Sequence, residues 1–196
     1  MMKLPRSIFF LRFMLALISL PALAHANDWD IDKLMQGLAQ TRVGHARFVE
    51  KKTIAILDKP VESSGELFYN APDRLEKRTL KPKAESMTLE GGTLLVERGR
   101  QKHRLQLQDY PELAAFIDSI RGTLAGDRKA LERNYRLSLE GSAEQWTLQL
   151  LPIDEKMQAV VKRIRIAGAR DSVRSIEITQ ADGDSSLMLI GKMPTP

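Results

Sequence analysis

The chain has 196 residues, 43% of them hydrophobic and 28% charged, which suits one globular domain with a core of its own. Its formal net charge of +5 is inflated by Lys3, Arg6 and Arg12 in an acid-free leading segment; the rest holds 27 basic and 25 acidic residues. That balance is too even to argue for nucleic acid. With no cysteine, the sequence excludes disulfides, a thiolate nucleophile and a lipidated cysteine at the mature N-terminus.

The first 26 residues have the pattern of a cleaved secretory signal. Lys3, Arg6 and Arg12 precede an apolar run from Phe13 to Leu20, and Ala24-His25-Ala26 supplies small residues at both positions of an A-x-A site. The run is shorter than the ~20 apolar residues a membrane span needs. The mature chain is therefore expected to start near Asn27, outside the cytoplasm, with residues 27–196 forming a single domain.

From Asp30 to Gln40, Ile31, Leu34, Met35 and Leu38 recur at helical spacing, with Asp28 or Asp30 as the cap. Gly44 opens a long strand candidate that places Ala46, Phe48, Glu50, Lys52, Ile54 and Ile56 on one face. Glu50 and Lys52 are out of character there, and a cross-strand ion pair or a wet edge would account for them. A second strand runs from beyond Pro60 to Asn70.

Turn signals at Asn70-Ala71-Pro72, Lys81-Pro82 and Gly91-Gly92 then cut residues 65–96 into four short pieces, as in an antiparallel meander. Gly65, Leu67 and Tyr69 share a face, as do Leu75 with Lys77, Met87 with Leu89, and Thr93 with Leu95. One side of the sheet is thus apolar and the other charged. At Arg98 to Arg104, Gly99 turns between two strands, and Arg98, Arg100, Lys102 and Arg104 cluster there. The cluster is either a docking patch for anionic headgroups or a partner protein, or the solvated tip of a hairpin.

Pro111 to Ala125 carries the clearest helical pattern. Asp109 is placed as a cap, Pro111 suits the first turn, and Gly126 ends the helix. Leu113, Phe116, Ile117, Ile120 and Leu124 form one stripe, which either packs on the sheet as ordinary core or covers an apolar cavity. After a short turn at 127–132, five alternating segments follow: 135–140, 145–150, 160–167, 173–179 and 186–190. About eleven strands with few helices must bury their inner face by closing on themselves or by wrapping around those helices.

No catalytic or metal-binding pattern is present. His45 and His103 border turns, and HExxH, H-x-x-x-H and G-x-S-x-G are all missing. Gly91-Gly92 leads into no helix, so it is not a phosphate loop. The chain is expected to be a container or an interaction surface, not an enzyme, and to need no cofactor and no metal.

The order G-E-L-F-Y-N-A-P-D-R-L-E-K, then P-K-A-E-S-M-T-L-E-G-G-T-L-L, resembles the periplasmic outer-membrane lipoprotein carrier (LolA-like) family. Ala46 to Glu50 is similar to that family's F-x-x-x-F-x-Q strand, Leu150-Leu151-Pro152 to its L-x-P, and 173–188 to its closing strand, turn and strand. The A-G-D after the long helix points to a LolA-related branch, in which the cargo can be a lipid other than a lipoprotein.

The resemblance implies an incomplete antiparallel β-barrel of about eleven strands (mainly β, α+β), with helices covering an apolar concave face. It also implies a monomeric periplasmic carrier of lipid or lipoprotein acyl chains, moving between an inner-membrane exporter and an outer-membrane acceptor. The alternative is a LolA-fold sensor or regulatory binding module. Exposing a 16-carbon chain costs on the order of 12 kcal/mol at ~0.8 kcal/mol per methylene, so such cargo cannot cross water unaided. The candidate cavity residues are Phe48, Ile54, Leu67, Tyr69, Leu75, Met87, Leu89, Leu95, Leu113, Phe116, Ile117, Ile120, Leu124 and Trp146. Ala71 stands where the best-known carriers have a latch arginine, so any latch here is different.

Overall fold

A computed structural model describes residues 29–192. The proposed signal segment lies outside the described residues. Helix α1 spans Ile31–Leu38, and Asp30 caps it by accepting from the Lys33 amide at 2.8 Å. Six strands follow: β1 Val43–Thr53, β2 Val61–Asn70, β3 Arg74–Lys81, β4 Glu85–Glu90, β5 Thr93–Arg98 and β6 Gln101–Gln106. After a 3-10 turn at Leu107–Asp109 come α2 Pro111–Ala125 and α3 Arg128–Glu132. Strands β7 Tyr135–Ser142 and β8 Gln145–Pro152, the short α4 Glu155–Gln158, then β9 Val161–Ala169, β10 Ser172–Gln180 and β11 Ser185–Lys192 complete the described chain.

All eleven strands form one antiparallel sheet in the order β6-β5-β4-β3-β2-β1-β11-β10-β9-β8-β7. The first six form one meander and the last five another, joined where β1 pairs with β11. β6 and β7 are left as edges, so the sheet is an open half-barrel with its helices on the inner face.

Two points of local chemistry position α2. Pro111 sits at its first turn, but the capping residue is Tyr110, without a side-chain hydrogen bond, because Asp109 is taken up in the preceding 3-10 turn. The far end is closed by Gly126 at φ 66°, a left-handed cap that L side chains rarely adopt. A Cβ there would also stand 2.1 Å from the Met35 carbonyl oxygen. α2 thereby docks tightly on the end of α1.

The main core lies on the second meander. Trp146, Leu148, Leu150, Ile164 and Ile166 pack with Leu34, Met35 and Leu38 of α1 and Leu131 of α3, all nearly free of solvent. The Trp146 ring fits only because Gly168, its cross-strand partner, has no side chain; a Cβ there would fall 2.3 Å from the ring. On the first meander a smaller cluster gathers Leu89, Leu94 and Leu107 beneath the first half of α2.

Candidate functional site

Between the inner face of the sheet and α2 lies a cavity of about 940 Å³, at the large end of the ~300–1,000 Å³ range of ligand pockets. Leu67, Tyr69, Leu75, Met87 and Leu89 line it from the sheet, and Leu113, Phe116, Ile117, Ile120 and Leu124 line it from α2. The register explains the sheet side. Tyr69 faces Leu75, Leu75 faces Leu89, and Lys77 faces Met87, so one inward row runs across three strands.

Four expected residues are elsewhere. Leu95 points outward, because Glu90 pairs with Thr93 across the tight Gly91-Gly92 turn and Leu94 is therefore the residue facing Leu89. A one-residue change of phase at a turn reverses the face of every later residue in the strand. Ile54 lies past the end of β1, in a loop where the Asp184 carboxylate accepts from the Ala55 amide at 2.9 Å; Ile56, in the same loop, is not on the inner face either. Phe48 and Trp146 are each only 1% exposed. The first is covered by Lys77, whose ammonium is 4.9 Å from the ring centroid, and the second is sealed in the main core.

Alternation along β10 and β11 signals further lining residues that the sequence reading called strand without assigning to the cavity: Ile176 and Ile178, and Met188 and Ile190. Leu94 joins them from β5.

The most deeply buried residues of α2 are not those of its apolar stripe. Its deepest residues are small or polar, Ser119 at 0% and Thr123 at 1% exposure together with Gly122, whereas its five-residue apolar stripe is only half-buried. The hydroxyls are satisfied locally. Ser119 donates to the Phe116 carbonyl at 2.6 Å, and Thr123 to the Ser119 carbonyl at 2.7 Å. Gly122 lies where a Cβ would press on Leu131 of α3 at 2.9 Å. Tyr135 donates to the Ala115 carbonyl at 3.1 Å, and burial pushes its phenol up to about 12. The apolar stripe is thus left facing the cavity.

The cavity also holds charge. Lys77 Nζ is 2.5 Å from Glu50 Oε2, and Ser63 donates to the same oxygen at 3.3 Å. This is the expected cross-strand ion pair for Glu50, made with β3, and Lys52 takes no part in it. Tyr69 Oη is buried without a hydrogen-bond partner among the described residues, and burial raises its pKa.

At the hairpin tip, Arg98 pairs with Glu85, and Lys102 with Glu97 at 2.6 Å. The hydrogen bond and charge of Lys102 hold the Glu97 carboxyl below its usual range. Arg104 lies opposite Leu95, on the outer face. Two of the four cations in the expected docking patch are thus already neutralised by carboxylates. Among the described residues no cluster of three or more metal-ligating side chains occurs, and no helix is long and apolar enough to cross a membrane.

The chain is thus an open eleven-stranded half-barrel with helices across one face and an apolar cavity between. The family model described as outer membrane lipoprotein carrier protein LolA-like matches residues 23–194, and the chain belongs to that family. No curated protein matches it in sequence. Among solved structures, a LolA superfamily protein from Nitrosomonas europaea is 11% identical, with 86% of this chain and 96% of that one covered at a TM-score of 0.45. A putative outer membrane lipoprotein-sorting protein domain from Vibrio parahaemolyticus is 10% identical, covering 82% and 88% at 0.41. The Pseudomonas aeruginosa MucA/MucB complex contains a chain 14% identical, covering 85% and 59% at 0.46.

Proposed function

We propose that the protein is a non-catalytic carrier that shields the acyl chains of a lipid or lipoprotein in this cavity. The observation that carries the reading is the incomplete burial of the apolar stripe of α2. Ser119, Gly122 and Thr123 are fully buried, while Leu113, Phe116, Ile117, Ile120 and Leu124 touch the core at most at its margin and stay half-buried along about 940 Å³ of space. Apolar area left half-exposed forfeits ~25 cal/mol per Å², a cost that an acyl chain filling the space recovers.

In this reading the carrier works in the periplasm as a monomer. It receives cargo from an inner-membrane exporter and delivers it to an outer-membrane acceptor. Family membership and the signal-like first 26 residues support that setting.

The decisive experiment is mass spectrometry of an organic extract from protein purified out of the periplasmic fraction without detergent. Acyl-chain lipid in near-stoichiometric amount is expected, on a polypeptide beginning at Asn27. Protein free of lipid that also fails to take up an acyl probe would overturn the reading.

A further inference from the structure

Among the charged side chains that line the cavity, Glu50 and Lys77 form an ion pair over its apolar sheet wall. Glu50 lies on β1 and Lys77 on β3, with β2 between them. They meet across β2 beside Gly65, which pairs with Phe48 on one side and Thr79 on the other. With no side chain at Gly65, the Lys77 ammonium crosses above bare backbone, over the Phe48 ring, to reach Glu50. A half-buried ion pair within an apolar lining is a poor stabilising device, since apolar residues of similar volume generally serve as well or better.

The charge count is uneven. Glu50 and Lys77 cancel, but Lys52 lines the same cavity at the next inward position of β1, opposite Ser186, with no carboxylate at ion-pair distance among the described residues. The locus therefore carries one net positive charge. An ammonium has three N–H donors, and Lys77 gives one to Glu50, so two remain for an incoming anion. Ser63, on the intervening β2, donates to the same Glu50 oxygen and helps to hold the carboxylate in place. A cationic head would meet two ammonium groups here, whereas an anionic head finds N–H donors on both and balances the one net charge.

We propose that Lys77 and Lys52 form a headgroup subsite, and that the cavity takes an amphiphile with an anionic head, carboxylate or phosphate, its alkyl chain lying along the α2 stripe. This rests on the carrier reading and narrows it to a class of cargo.

The test uses four probes with one chain, namely dodecanoate, dodecyl phosphate, dodecanol and dodecyltrimethylammonium. Each displaces an apolar fluorescent reporter from the wild-type protein, below its micelle concentration. The two anions should bind at least about 10-fold more tightly than dodecanol, and dodecyltrimethylammonium most weakly; whichever anion is preferred identifies the source as a free acid or a phosphate ester. In Lys77→Met and Lys52→Met the anion-to-dodecanol ratio should fall severalfold, and in the double variant it should approach one. Lys77→Arg, which keeps the charge, should preserve the ratio. Equal binding of all four probes by the wild type, or an unchanged ratio in a folded double variant, would overturn the subsite and leave the carrier reading standing. Failure of every probe to displace the reporter would overturn both.

Discussion

The two meanders share one sheet and one alternation of inward apolar residues, yet they are finished differently. On β7–β9 the inward row is sealed under α1 and α3, with Leu148, Leu150 and Ile164 entirely removed from solvent. On β1–β4 the equivalent row, Leu67, Leu75 and Met87, remains half-buried along a cavity. The difference lies in the cover. α1, α3 and the Ser119–Gly122–Thr123 side of α2 gather over the second meander, and only the apolar edge of α2 reaches across to the first. One half holds the fold and the other is left free to hold something else.

The largest effect is expected where the cover is complete. Leu150→Ala should cost ~2–5 kcal/mol, as full truncations in a packed core do. Leu75→Ala, which removes the same atoms from a half-buried position beside existing space, should cost less than about 1.5 kcal/mol. Urea unfolding of both variants gives the comparison directly, and equal losses would mean that the two halves are packed alike.

Next in size is a change of charge on the open half. Leu75→Glu places a carboxylate among Tyr69 and Leu89 and should abolish binding of an acyl probe, because an unpaired charge in an apolar site is costly. Leu95→Glu, on the outer face opposite Arg104, should leave binding within about twofold. Loss of binding in both variants would contradict the inward and outward assignment of β3 and β5.

The same contrast explains how far the sequence could be read. Pro72, Pro82, Gly91 and Gly126 marked chain reversals and a helix end through their backbone preferences, and those are local properties. Leu95 failed because a two-residue turn sets the phase of the next strand, and phase is not visible in the alternation itself. Phe48 and Trp146 were placed on the correct face. Whether an inward residue meets core or cavity, though, depends on which helix lies over it, a long-range fact. Lys77 shared a face with Leu75 from the outset; its partner across two strands could not be inferred, because that pairing needs the full register of β1, β2 and β3. The α2 stripe was legible as a stripe. That its opposite side would be the buried one was not, since Ser119, Gly122 and Thr123 carry no hydrophobic signal.

A smaller effect separates the halves by pH. Tyr135 belongs to the sealed half, and its phenol is pushed up to about 12 from an ordinary value near 10. The folded state thus holds this proton more tightly than the unfolded state. The stabilisation is fully present below pH 10 and is lost as pH rises from about 10 towards 12. At most about 1–3 kcal/mol is involved. Tyr135→Phe should flatten this part of the stability–pH curve, and an unchanged alkaline slope would show that the drop arises elsewhere.

The smallest change in stability is expected where α2 crosses between the halves, and it bears most directly on whether the helix moves. Phe116 and Ile120 touch the main core at its margin and line the cavity as well. If they were ordinary core, Phe116→Ala and Ile120→Ala would each cost ~2–5 kcal/mol. A cover that opens to admit a chain must be held less firmly than that. The closest backbone docking of α2, at Gly122 and Gly126, sits towards its C-terminal end, so its first half can lift while the second stays docked if the Tyr135–Ala115 hydrogen bond is released. Both variants should therefore melt within a few degrees of the wild type, a shift matching about 1 kcal/mol for a domain of this size. Uptake or release of an acyl probe should change severalfold in the same samples. A large drop in melting temperature with unaltered binding would instead make these residues part of the sealed half, and α2 a fixed wall of the cavity.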